Sequence, residues 1–330
     1  MTETTRPPEP LLERLRAARS VVLTSHINPD GDAIGSELAL ARLLEQMGCR
    51  SAIWNRDEMP RPYRALPGAE AIHVGTEPPP GFPDDFDTAV VLECPSLERC
   101  GVPDAMSALP MINIDHHLGN TEYGVVRWID PEAPAVGEML LTLAGALGLT
   151  LDADTADCLY LALSTDTGGF RFSNATPRAF DAASAMVRAG ARPERVSHWV
   201  YESQTEANLR LVGEMLRGLT LHADGHIATV WLTRHMMERA GAGPGDSEGL
   251  VDYPRSIAGV EAVALFRELE DGGVKASLRS RGVADVESIA RSFGGGGHHN
   301  AAGFTVAAEA RDGLEARTVA ALDAALEAAR

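Results

Sequence analysis

Four sets of acidic and histidine side chains stand where apolar runs end. In S-H-I-N-P-D-G-D-A-I-G-S, His26, Asp30 and Asp32 occupy a turn between a strand-like run and a helical one. Pro29 and Gly31 punctuate that turn, so both aspartates can face one concavity with backbone N–H groups pointing the same way. Glu93 directly follows T-A-V-V-L, Asp115-His116-His117 directly follows M-I-N-I, and Asp166 lies in T-D-T-G at the end of a helical segment. Each set alone has a plain reading. A D-G-D turn is commonly only a turn, and a strand-end glutamate is commonly solvated. The first set also fails as an EF-hand, because Ile34 and Ala41 stand at ligand positions. Their joint occurrence argues for a site. Oxygen and imidazole donors without a thiolate suit Mn²⁺ and, less specifically, Mg²⁺, Fe²⁺ or Zn²⁺. The donors suffice for two ions sharing one carboxylate, a pair that activates a water and clamps a phosphoryl oxygen during in-line attack. Phosphoester hydrolysis is the chemistry implied.

A second anion-handling feature lies near the C-terminal end, where Gly294, Gly295, Gly296 and Gly297 precede His298. Consecutive glycines let backbone N–H groups approach a phosphate without a Cβ in the way, and His298 adds a donor. Just upstream, K-A-S-L-R-S-R sets Lys275, Ser277, Arg279 and Arg281 on a strand-like segment, and Lys275 is the only lysine in the chain. Basic strands are ordinarily solvated faces and glycine runs flexible loops. In a chain with 29 Lys+Arg against 47 Asp+Glu and a net charge of −18, the combination reads as a phosphate receptor.

The elements that must carry these residues follow from periodicity. Val21–Thr24, Ser51–Trp54, Thr88–Leu92 and Met111–Ile114 are strand-like, whereas Ile34, Leu38, Ala41, Leu44 and Met47 recur at helical spacing up to a stop at Gly48. Apolar strands alternating with helices predict a parallel α/β sheet whose ligands lie beyond the C-terminal strand ends. Three of the four sets would then meet on one edge. Helices are expected over Asp152–Leu163, Pro177–Ala189, Pro193–Tyr201 and Glu206–Arg217, and G-T-E-P-P-P-G-F-P-D-D is a loop. Strands at Ile227–Leu232, Val260–Leu265 and Val274–Arg279, a helix near Val286–Ser292 and a loop G-G-G-G-H-H-N-A-A-G-F suggest a smaller α/β domain. A length of 330 residues agrees with two domains, here 1–190 and 206–330 with a linker over 191–205.

Composition bounds the rest. With 45% hydrophobic and 23% charged residues the chain is globular. Its acidity disfavours long DNA or RNA as a partner. The four cysteines form no C-x-x-C pair, which fits a reducing cytosol. The first twenty residues hold no apolar core, and no run reaches the about 18 apolar residues that span a bilayer. A cytoplasmic protein without a membrane partner is expected.

The motifs S-H-I-N-P-D-G-D-A-I-G-S, N-I-D-H-H, S-T-D-T-G-G-F and G-G-G-G-H-H-N-A-A-G-F, in that order, resemble the DHH phosphoesterases that carry a C-terminal DHHA1 domain. Within that family the resemblance is greatest to the NrnA-type nanoRNase/pAp phosphatases. It implies a DHH domain with two Mn²⁺, a DHHA1 domain that binds substrate, and a homodimer. His26 and Asp30 would hold one ion, and Asp32, His116 and Asp166 the other. Where the family bridges the ions with an aspartate, this chain has Glu93, whose extra methylene shifts the carboxylate by about a bond length. Asp115 would orient His116, and His117 would contact phosphate or donate a proton, with Arg279 orienting substrate. Expected substrates are very short oligoribonucleotides and mononucleotide phosphates such as 3′,5′-bisphosphorylated adenosine (pAp). The alternatives are cyclic di-AMP or its linear product pApA, or a nucleotide-binding regulator of weak turnover, the last resting on Glu93 alone.

Overall fold

The computed structural model describes residues 6–247, 249–308 and 313–329. The chain divides into two compact units between Ser203 and Gln204.

The first unit is a six-stranded, wholly parallel sheet. Its strands are β1 (Ser20–Thr24), β2 (Arg50–Asn55), β3 (His73–Val74), β4 (Thr88–Leu92), β5 (Met111–Asp115) and β6 (Val126–Ile129), in the order β3-β2-β1-β4-β5-β6. Its helices are α1 (Glu9–Ala17), α2 (Gly31–Gln46), α3 (Pro103–Met106), α4 (Val136–Leu147), α5 (Ala153–Asp166), α6 (Pro177–Arg188) and α7 (Pro193–Tyr201). β1, β4 and β5 are buried along their whole length, because both faces of the sheet are covered. Val21, Leu23, Val90 and Leu92 turn to one core, which takes in Ile34 and Leu40 of α2, Leu140 of α4 and Leu159 of α5. Val22, Ala89 and Val91 turn to the other, with Cys94, Val102 and Met106. This period of two follows from the pleat.

Strand order reverses between β1 and β4, the place where a doubly wound sheet opens a crevice at its C-terminal edge. Helix α2 starts from that edge and packs closely on α5. A Cβ on Gly35 would stand 2.5 Å from the Cys158 carbonyl oxygen, and one on Gly31 would stand 2.4 Å from the Thr165 hydroxyl oxygen. Glycine at these two positions lets the start of α2 lie beside the end of α5, where Asp166 is.

The break falls within the expected linker 191–205, near its end. Most of the expected linker is α7, whose Val196 and Trp199, three residues apart, are buried in the first core.

The second unit holds a mixed sheet of β7 (Thr220–His222), β8 (Ile227–Leu232), β9 (Ala262–Glu268), β10 (Val274–Ser280), β11 (Gly296–His298) and β12 (Ala301–Val306), in the order β11-β12-β10-β9-β8-β7. Only β8 and β9 pair in parallel. Its helices are α8 (Glu206–Arg217), α9 (Arg234–Ala240), α10 (Asp252–Arg255), α11 (Val286–Ser292) and α12 (Leu314–Ala328). The glycine-rich segment expected as a loop is in fact the hairpin β11–β12. Its glycines meet a packing demand: a Cβ on Gly295 would lie 2.2 Å from the Gly303 carbonyl oxygen, and one on Gly297 2.5 Å from that of Ala301. Among the described residues no helix is long and apolar enough to cross a membrane.

Candidate metal centre

Strand ends and helix ends bring all four acid and imidazole sets of the first unit together. His26 follows β1, Glu93 follows β4, Asp115 ends β5 with His116 and His117 beyond it, Asp30 and Asp32 open α2, and Asp166 closes α5. Donor atoms lie within 4.8 Å of one another in three groups: His26, Asp30 and Glu93; Asp32, His116 and Asp166; and Glu93, His116 and His117. Each group could hold a metal ion.

Asp30 caps α2: its Oδ1 accepts from the Ala33 N–H at 3.0 Å, while its Oδ2 lies 3.9 Å from His26 Nε2. Asp32 is fully buried and held by three donors, the Ser36 hydroxyl at 3.0 Å and the Val136 and Gly137 amides at 2.7 and 3.0 Å. Those amides open α4, so a helix N-terminus faces this carboxylate. Burial, and next the Glu93 charge, nevertheless raise the Asp32 pKa well above the usual carboxylate range. The same two causes push Asp166 up to about 7. A carboxylate at a helix C-terminus is also disfavoured by the helix dipole.

Glu93 sits with φ at 51°, in the left-handed region that a non-glycine residue rarely adopts. That turn aims its side chain across the strand ends. Its Oε2 stands 3.4 Å from His116 Nε2 and 3.6 Å from His117 Nδ1, is buried, and makes no hydrogen bond among the described residues. A buried carboxylate oxygen without a donor calls for a cation.

The two histidines are oriented differently. His116 Nδ1 bonds the Ala133 carbonyl at 2.9 Å and therefore donates, which turns the Nε2 lone pair toward Glu93, Asp166 and Asp32 at 3.4, 3.8 and 3.9 Å. Burial opposes protonation of His116, but the Glu93, Asp166 and Asp32 charges raise its pKa. The expectation that Asp115 orients His116 is corrected here. The Asp115 carboxylate accepts from His117 Nδ1 at 2.8 Å and touches only the backbone N–H of His116, at 2.9 Å. Asn120 donates to the other oxygen of Asp115 at 2.6 Å. Burial would raise Asp115, but the bond and charge of His117, the bond from Asn120 and the His116 charge together outweigh it and hold the carboxyl below its ordinary value. His117 is correspondingly raised: burial opposes, and the Glu93 charge with the bond and charge of Asp115 together outweigh it. Asn120 carried no signal in the sequence, and neither did Asn174, whose Nδ2 donates to Asp166 Oδ2 at 3.2 Å and to the Pro134 carbonyl at 3.1 Å.

Crowded carboxylates, two of them with raised pKa values, an orphan acceptor, and an imidazole nitrogen turned inward form a donor set that fits hard or borderline divalent cations. His26, Asp30, Asp32, Glu93, His116 and Asp166 would hold them.

In the second unit, Lys275, Ser277 and Arg279 share one face of β10, alternating with buried Val274, Ala276 and Leu278. Arg279 is half-buried, and burial lowers its pKa; its Nη1 donates to the Leu278 carbonyl at 3.0 Å. Arg281 lies past the strand end, is exposed, and donates to the Arg255 carbonyl at 2.8 Å. The glycine run offers fewer amides than its sequence suggests. The N–H groups of Gly294 and Gly295 donate to Arg291 and Ala290 carbonyls at 2.9 and 2.8 Å, completing the end of α11, so the idea that they grip a phosphate does not hold. Gly296 and Gly297 pair with Gly303 and Ala302 of β12. The His298 side chain lies outside the described residues.

The sheet order and the acid–imidazole edge define the class, and sequence comparison defines the family. Residues 20–163 match the model of the DHH family N-terminal domain, and residues 225–329 match that of the DHHA1 domain. The bifunctional oligoribonuclease and PAP phosphatase NrnA of Thermus thermophilus is 35% identical over 288 residues, covering 87% of this chain and 84% of that protein. An exopolyphosphatase-related protein from Bacteroides fragilis superposes with a TM-score of 0.88 at 28% identity, covering 99% of this chain and 98% of that one. RecJ of T. thermophilus in complex with Mn²⁺ shares the fold, with a TM-score of 0.54 and 15% identity over 97% of this chain and 54% of RecJ. The chain belongs to the DHH family of phosphoesterases with a C-terminal DHHA1 domain, and it is a hydrolase.

Proposed function

We propose that this chain hydrolyses very short oligoribonucleotides and pAp with two Mn²⁺. The observation that carries the reading is the place of Glu93, which belongs to the His26–Asp30 donor group and also stands 3.4 Å from His116 of the Asp32–Asp166 group. One carboxylate between two donor groups is the arrangement two ions need. The T. thermophilus relative named as an oligoribonuclease and PAP phosphatase supports the substrate class.

Bound there, the cations would supply Lewis acidity toward the phosphoryl oxygens. His26, Asp30, Asp32, Glu93, His116 and Asp166 hold and charge-balance them. His117, its Nδ1–H bonded to ionised Asp115, presents Nε2 as a proton donor for the leaving oxygen. Ser277, Arg279 and Lys275 bind the nucleotide phosphate on the second unit. A homodimer in the cytoplasm belongs to the same reading.

The test is Mn²⁺-dependent hydrolysis by the purified chain of pAp, pApA, an RNA 3-mer and an RNA 24-mer. Turnover of pAp and the short oligomers with the 24-mer spared is expected. Comparable rates on the 24-mer and the 3-mer would refute the length preference. Mn²⁺ binding without turnover of any of them would indicate a nucleotide-binding regulator.

A further inference from the structure

Asp32 and His116 both owe their orientation to backbone groups of one short segment, residues 130–138. Ala133 supplies the carbonyl that fixes the His116 ring, and Val136 and Gly137 supply the amides that grip Asp32. This segment leaves β6 and enters α4, so its path must be held for either contact to persist. Its first anchor is the Asp130 N–H, which donates to the Asp115 carbonyl at 3.0 Å.

Both ends of the segment carry a buried carboxylate. Asp130 begins it and Glu138 lies in the first turn of α4, their side chains 2% and 4% exposed. A single atom joins them: Arg178 Nη2, from α6, donates to Asp130 Oδ2 at 2.8 Å and to Glu138 Oε2 at 2.6 Å. The Arg178 side chain is itself 8% exposed, and its Nε and Nη1 are buried with no partner among the described residues. Two buried carboxylates and one guanidinium are a costly arrangement in terms of stability alone, since apolar residues of similar volume commonly serve as well. What the triad does is draw the two ends of the 130–138 segment onto one point of α6. Without Arg178, two buried negative charges would face each other across the segment, and it would open.

We infer that Arg178 is a positioning residue for the proposed metal centre, closing the 130–138 segment so that Ala133 orients His116 while Val136 and Gly137 orient Asp32. The inference rests on the reading that Asp32 and His116 are metal ligands. It distinguishes the two donor groups, because His26 and Asp30 take none of these contacts from the segment. Loss of Arg178 acts on the Asp32–His116–Asp166 group and spares the other.

The experiment is calorimetric titration of the full chain with Mn²⁺, wild type against Arg178→Met, well below the melting temperature of each, with melting recorded without metal. The wild type is expected to bind two ions. In Arg178→Met one of the two binding events should weaken about 10- to 100-fold while the other keeps its affinity. A role confined to stability would lower the melting temperature and leave both affinities as they are, and that result overturns the inference. Should Arg178→Met fail to fold, Glu138→Gln keeps the volume and the guanidinium while removing one charge. Weakening of the same single binding event supports the inference, and two unchanged affinities overturn it. A wild type that binds no divalent cation overturns the metal-centre reading and this one with it.

Discussion

Lowering the pH below 7 should weaken divalent-cation binding, with protons released as the cation binds. The cause is the crowding of Asp32, Glu93 and Asp166. Burial first, helped by the Glu93 charge and opposed by the His116 charge, lifts Asp166 from an ordinary 3.8 to about 7, and Asp32 moves the same way. A raised carboxylate pKa means that the metal-free protein holds a proton which a cation must displace. At pH 6 Asp166 alone is about nine-tenths protonated, so binding should release about one proton from it, and affinity should fall about tenfold per pH unit, or about 1.4 kcal/mol. At pH 8 that contribution is about a tenth of a proton. The pKa values of Asp32 and His116 are raised as well, so both act in the same direction. The same shift governs metal-free stability. A group raised in the folded state stabilises fully below its unfolded value, and that stabilisation is lost as pH rises through about 7. The metal-free melting temperature should therefore fall from pH 5 to pH 8, whereas Mn²⁺ at 100 times its Kd should restore about 2.7 kcal/mol at pH 8. Calorimetry in two buffers of different ionisation enthalpy counts the protons, and Asp166→Asn should reduce the count at pH 6 by about one. A proton count near zero at pH 6, with affinity flat between pH 5.5 and 8, would refute this account of the site.

Glu93→Gln keeps the shape of the side chain and removes the shared charge; kcat/KM should fall at least about 100-fold while metal-free melting is unchanged or raised, read by initial rates and calorimetry. Glu37 is a second buried carboxylate, pushed to about 7 by burial although Asn55 donates to it at 2.8 Å. Since its raised pKa costs stability as pH climbs through 7, Glu37→Gln should be the more stable protein at pH 8, by at most about 3 kcal/mol in urea unfolding, and should differ little at pH 4. Arg279→Met should raise KM for pAp at least about tenfold and leave Mn²⁺ affinity unchanged, because the metal-binding groups among the described residues all lie in the other unit.

Much of the first unit was legible because its signals are local. The four strand runs, Val21–Thr24, Ser51–Trp54, Thr88–Leu92 and Met111–Ile114, all lie in the sheet; three of them are buried along their whole length and hence mainly apolar, whereas Ser51–Trp54 is buried only toward its end. The two strands that were not foreseen are edges: His73–Val74 has two residues, and Val126–Ile129 is largely half-buried. Edge strands carry a weak apolar pattern, so there was little to read. Helix Val136–Leu147 was likewise unforeseen, yet it supplies the amides that hold Asp32. The glycine run misled for a different reason. Glycine meets two demands, an approaching phosphate or an approaching backbone, and the pattern does not distinguish them. Here Gly295 and Gly297 meet the second.

By itself the sequence determined which side chains could do chemistry and that they would gather. Each follows an apolar element, and parallel strands end on one edge. Only the tertiary structure decided how those side chains are oriented. The partner of Asp115 is His117, His116 answers to the Ala133 carbonyl, and Asp32 is held by amides more than 100 residues away. Most of these partners are backbone groups, which every residue carries alike. No choice of residue type marks them in advance, and only the packed chain shows which ones arrive.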